Sequence, residues 1–169
     1  MKKFLVLLLM AAAVSENCNA QEGPVHKLTL GGRLSGGAYY GPELSMHLGM
    51  TDRHRFEFDL GGRFHPSGNW YRFVATACFH WDFNIMSGWN WFVGPGVQGG
   101  VYIDPDNSNN TYFPIGVGGQ IGMEFDFSVP FDVPLVVGLD TRPMVDLFYP
   151  LNDFYFDGHV ALSLRYILK

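Results

Sequence analysis

The chain has 169 residues, a net charge near −5, 47% apolar and 16% aromatic residues, 21 glycines and two cysteines. The acidic balance argues against nucleic-acid binding, which relies on basic side chains that displace counterions from phosphates. Beyond residue 20 no run of 18 apolar residues occurs, so no transmembrane helix is expected, and the length suits a single domain.

In chain order the first element is a leader. Lys2 and Lys3 precede an apolar run from Phe4 to Val14, and the small-residue ending Cys18-Asn19-Ala20 stands before Gln21, so residues 1–20 read as a cleaved secretory signal peptide. The run is too short to span a bilayer as a helix. Acylation at Cys18 is disfavoured because Ser15-Glu16-Asn17 lacks the Leu and small residues of a lipoprotein site. Cleavage after Ala20 leaves residues 21–169 as the domain, with Cys78 alone, no internal disulfide and a charge near −6 once Lys2, Lys3 and Glu16 are gone.

The remainder reads as all-β. Turn-forming residues divide it into eight alternating segments, at about 27–39, 43–50, 55–65, 70–83, 89–103, 112–127, 134–147 and 154–168. The connections include Gly41-Pro42, Thr51–His54, Pro66–Asn69, Asn84–Gly88, Asp104–Thr111, Ser128–Pro134 and Tyr149–Asp153. Alternation is clearest from Ile115 to Phe127, where the odd positions are apolar or Gly and the even ones include Gln120, Glu124 and Asp126. With a period of two, such residues stand on opposite faces of a sheet.

One face of every segment is free of charge: Leu30 and Leu34 in the first, Phe56, Phe58 and Leu60 in the third, Leu162, Leu164 and Tyr166 in the last. The opposite faces carry Arg33, Arg55, Glu57, Asp59, Arg63, Arg72, Asp82, Glu124, Asp126, Asp140, Arg142, Asp157 and Arg165, joined by His47, His80, Gln98, Gln120, Asp146 and His159. A soluble, lipocalin-like barrel that binds an apolar ligand shares this alternation. Two features favour the inverse arrangement. The apolar faces are larger and more aromatic than one small core requires, and the polar faces are rich in Arg and Asp but poor in Lys. Arg with carboxylates is the chemistry of a buried, hydrogen-bonded network, since the guanidinium forks onto them. Lipid demands that every backbone group be paired within the protein, so an exported sheet spans only as a closed barrel, apolar outside and polar inside. Trp70, Tyr71, Trp81, Trp89, Trp91, Tyr155 and Tyr166 fall near segment ends, where interfacial girdles form.

The leader ending Asn19-Ala20-Gln21, the Gly-rich segment Val93–Tyr102 and the final segment Val160–Tyr166 together resemble the small outer-membrane β-barrel family of Gram-negative bacteria, in the OmpA/OmpX-type size class. The resemblance implies an eight-stranded antiparallel up-and-down transmembrane β-barrel with a polar lumen, both termini on the periplasmic side, and longer loops outside. It also implies outer-membrane lipid and the barrel assembly machinery as partners, and a monomer. The chain departs from the family in ending Tyr166-Ile167-Leu168-Lys169 rather than on an aromatic residue. Pro95 and Pro143 fall inside segments, where a missing N–H predicts a bulge at each.

Eight strands enclose only enough space for side chains, so the expected role is structural, adhesive or interaction-based, with the lumen plugged by its charges. A narrow channel for small solutes or ions is the alternative. A lipid A-modifying enzyme is a further one, because Asp157, His159 and Ser163 share a face of the last segment. That face is inward, whereas a lipid-directed nucleophile belongs on the bilayer side. The His residues form no metal-ligand spacing and no phosphate loop is present, so no cofactor or metal is expected, and nothing in Asp104–Thr111 specifies a loop partner.

Overall fold

The computed structural model describes residues 25–37, 39–64, 71–103, 111, 113–147 and 155–168. The leader, Cys18, Trp70, most of the connections between alternate strand pairs and Lys169 lie outside them, and the side chain of Tyr155 does too. Among the described residues the strands are β1 (Leu28–Gly37), β2 (Gly41–Thr51), β3 (His54–Phe64), β4 (Tyr71–Met86), β5 (Trp89–Ile103), β6 (Ile115–Asp126), β7 (Leu135–Asp146) and β8 (Tyr155–Leu168). A single helical turn, α1 (Ser128–Phe131), joins β6 to β7.

Each strand pairs antiparallel with the next, and β1 pairs with β8 from Leu28 opposite Leu168 to Gly37 opposite His159. The sheet therefore closes into an all-β, eight-stranded up-and-down barrel. Closure removes the exposed strand edges that an open sheet must protect. The β2–β3, β4–β5 and β6–β7 connections gather at one end with residues 25 and 168, here the turn end. The other connections gather at the loop end.

Two of the turn-end connections depend on left-handed backbone. Gly88, at φ +78°, lets Ser87-Gly88 reverse the chain between β4 and β5. Asp132, at φ +56°, ends α1, with its N–H returned to the Ser128 carbonyl. A turn of four residues is too short to show helical periodicity, so only a turn was legible in Ser128–Pro134.

Alternation along each strand sends apolar side chains out and polar ones in. Leu34 is 63% exposed and Leu162 56%, whereas Arg142, Glu57 and His80 have no exposed surface. The apolar exterior is bounded at the turn end by a belt of rings: His54 stacks on Phe79, Phe79 meets Trp81 edge-on, Phe83 stacks on Trp91 at 4.5 Å, and Trp89 lies 5.0 Å from Phe125. Tyr40, Phe64 and Tyr71 pack together at the loop end.

The bulges expected at the prolines are absent. Cys78–Gly96 and Trp81–Val93 keep one register on either side of Pro95, as do Gly118–Met144 and Ile121–Thr141 around Pro143. Pairing simply lapses between them, because each Pro withholds one N–H. Register shifts occur instead at Gly49/Thr51 and Asn84/Met86, beside turn-end reversals. Gly41-Pro42, read from sequence as a turn, begins β2. Pro42 lies opposite Leu34 near the strand start, where a missing N–H is tolerated.

Candidate functional site

The chemistry-bearing residues of this chain lie inside the barrel, on alternate positions of all eight strands. Near the loop end the guanidinium of Arg33 forks onto Asp140, at 2.5 and 3.2 Å, and donates to Glu43 at 2.7 Å. Arg63 donates to the other oxygen of Glu43 at 2.8 Å and to Asp157 at 2.9 Å. Arg72 links Asp157, at 3.1 Å, to Asp146, at 2.9 Å. The result is an alternating chain, Asp140–Arg33–Glu43–Arg63–Asp157–Arg72–Asp146, in which Glu43 joins arginines of the adjoining strands β1 and β3 and the other links cross the lumen between strands that are not neighbours. His159 stands between two cations, its Nε2 3.4 Å from Arg33 and 3.3 Å from Arg63.

Glu57 organises the middle and the turn-end half. Its Oε1 accepts from Arg142 at 2.9 Å and Arg165 at 3.3 Å, and its Oε2 lies 3.0 Å from His47 Nε2. Arg142 also donates to Asp59 and to Gln120, and Arg165 to Ser45. Arg55 forks onto Glu124 at 2.6 and 2.9 Å, stands 3.0 Å from Asp82, and places its charge 4.8 Å over the Phe92 ring. At the turn-end mouth His26, from the segment before β1, reaches across to Asp126 of β6 at 2.6 Å. The other oxygen of Asp126 accepts from the Ser128 N–H and hydroxyl, at 2.8 and 2.6 Å.

Every charged residue that parity points inward is therefore placed in the lumen, with Arg33, Arg63, Arg72, Arg142 and Arg165 each at most 2% exposed. Burying such charges is tolerable only because each meets an opposite charge or a hydrogen-bond partner. Asp126 is the outlier, since it belongs to the mouth rather than to the central network.

Sequence reasoning missed two features. Glu43 bridges Arg33 and Arg63, yet it was passed over because Gly41-Pro42 looked like a turn and Glu43 fell at a boundary. Counting by twos back from His47 and Ser45 would have found it. The second is an apolar sector: beside Cys78, which parity points inward as a small lumen filler, Phe92, Met144 and Val74 are buried inside against a wall of glycines. A Cβ on Gly96 would stand 2.6 Å from Cys78 Sγ and 2.9 Å from Met144 Cε, and one on Gly122 would stand 2.5 Å from Phe92 Cζ. The glycines of the β5–β6 hairpin are thus the space into which these larger side chains fit.

Asp157, His159 and Ser163 do not form a catalytic set. Ser163 donates to the Gly138 carbonyl at 3.4 Å, His159 faces two guanidiniums, and four residues along a strand separate the two by about 13 Å.

No family model and no curated protein matches the chain. Among solved structures the barrel is similar to the crystal structure of Neisserial surface protein A, NspA. The TM-score is 0.59 at 14% identity, over 83% of this chain and 94% of that one. The likeness is one of fold: the same closed all-β architecture reached by a very different sequence.

Proposed function

We propose that this chain is an integral outer-membrane barrel, plugged by its own lumen network, with a structural or interaction role at the cell surface. The observation that carries the reading is the inverted distribution of side chains. A closed barrel with Leu34, Leu44 and Leu162 more than half exposed and Arg142 fully buried is matched to hydrocarbon outside, not to water. The aromatic belt at the turn end supports it, as does a fold shared with a protein named for the cell surface. A role without catalysis is supported by the separation of Ser163 from His159.

Extraction tests the membrane reading. The protein is expected to leave envelopes only with detergent and to show heat-modifiable gel mobility, and release by salt or alkali alone overturns the proposal. Planar-bilayer recording tests the plug: the expected result is no steady conductance. A narrow cation path is the second reading, because the described lumen sets six buried arginines against nine buried carboxylates. Cation-selective steps in purified protein would favour it.

A further inference from the structure

The outer wall is not evenly ridged. A groove of about 420 Å³ crosses it near mid-height, over β2 to β5, with its far end at Leu30 of β1. Its walls are two parallel rows of outward residues. One row runs through Met46, Phe58, Ala77 and Val97, and the other through Leu44, Leu60, Ala75 and Gly99. Between them the floor is the backbone of Asp59, Thr76 and Gln98, which keep an unbroken ladder with one another. The depth comes from Ala75, Ala77 and Gly99: where neighbouring strands present Phe or Leu, these positions have almost nothing. Around a Cβ built on Gly99 there is no atom within 4 Å.

We propose that this groove is a binding site for one acyl chain of a phospholipid, held across the barrel wall. The proposal rests on the membrane reading above, since it takes the apolar exterior to be covered by lipid, and the groove is continuous with that exterior. Three properties select the occupant. The floor has no free donor or acceptor, so neither a peptide strand nor a headgroup gains hydrogen bonds there. At about 4.8 Å per strand the groove runs about 19 Å from β1 to β5, the reach of a long hydrocarbon chain. A phospholipid is chosen over lipid A because the connections 38–40, 65–70, 104–114 and 147–154 contain no Lys or Arg to meet lipid A phosphates.

The test is native mass spectrometry of the folded protein released from dioleoylphosphatidylcholine vesicles, with a parallel set doped with lipid A. Wild type is expected to retain one phospholipid under activation that strips the rest. Gly99→Leu, which fills open space, is expected to lower that retained fraction at least tenfold, and Ala77→Leu to do the same. Val160→Leu, on the far side of the barrel, is expected to leave it unchanged. Heat-modifiable mobility reports whether each variant folds. Equal retention in wild type and Gly99→Leu overturns the site. Preferred retention of lipid A overturns the choice of phospholipid, and a dimer mass abolished by Gly99→Leu gives the groove to a second copy instead. A protein that folds in buffer and never enters the vesicles is a different result, which overturns the membrane reading itself.

Discussion

Glu57 has no exposed surface, and its carboxylate persists there because Arg142, Arg165, His47 and Gln120 surround it. Removing one partner of such a group leaves a buried charge uncompensated. Arg142→Met is therefore expected to destabilise the barrel by about 3–5 kcal/mol in urea unfolding of vesicle-folded protein. Pairing it with Asp59→Asn should recover part of the loss, because the carboxylate that Arg142 held is then neutral. The glycine sector offers a complementary test. Gly96→Ala crowds Cys78 and should cost about 1–3 kcal/mol, the range for overpacking, and Cys78→Ala should rescue it. At this scale the inward charges were legible, since parity alone points Arg33, Glu57 and Arg142 into the lumen. Which carboxylate each arginine meets was not, because that depends on the stagger of eight strands. The apolar Phe92 and Met144 were hidden for a related reason: beside Gly94, Gly118 and Gly122, an inward aromatic residue looks like a break in the pattern until the facing glycine is known.

The strands themselves were readable from alternation and turn residues to within a few positions, apart from details that alternation does not carry. Pro95 and Pro143 predicted bulges by the rule that a strand proline removes a ladder bond. The structure keeps the register and gives up pairing at Phe79–Pro95, His80–Gly94, Gly119–Pro143 and Gln120–Arg142 instead. Hydrogen exchange in detergent micelles is expected to find the amides of Phe79 and Gly119, which point toward Pro95 and Pro143, less protected than those of Ala75, Ala77 and Ile121 in the same strands. Equal protection would show that these positions are bonded after all. On β8, Leu162 faces outward and Ala161 inward. Leu162→Arg is expected to cost about 2–4 kcal/mol near the midplane and to impair assembly, measured as the folded fraction on a cold gel.

At the scale of the whole molecule, the exterior and the lumen make opposite demands on solvent, and the membrane placement proposed above is the one that answers both. The sequence carries that conflict and with it the fold class, but not the activity. A lumen whose arginines already meet carboxylates offers a substrate little room to bind, which is why the proposed role is that of a plugged scaffold. Outside the lumen, Lys27 and Arg53 belong to the turn end together with Asp52 and Asp132, while the loop-end connections include Asp104, Asp106 and Asp153 and no Lys or Arg. Neutralising Arg55 by Arg55→Met removes the cation facing Glu124 and Asp82. If the lumen carries a latent ion path, planar-bilayer recordings of this variant should show cation-selective openings that wild type lacks.

The seam between β1 and β8 gives the barrel a direction in time. Its first rung joins Leu28, the first residue of β1, to Leu168, the last of β8, and the strand that completes it carries Asp157, His159 and Arg165. Until β8 arrives, Arg63 lacks its Asp157 contact, and Glu57 and Ser45 lack Arg165. Contacts so distant along the chain form slowly, because a long loop must close before they return any free energy. Closure of the ring and completion of the charge network are thus one late event, and a chain cut before β8 is left with an open edge and uncompensated charges inside it.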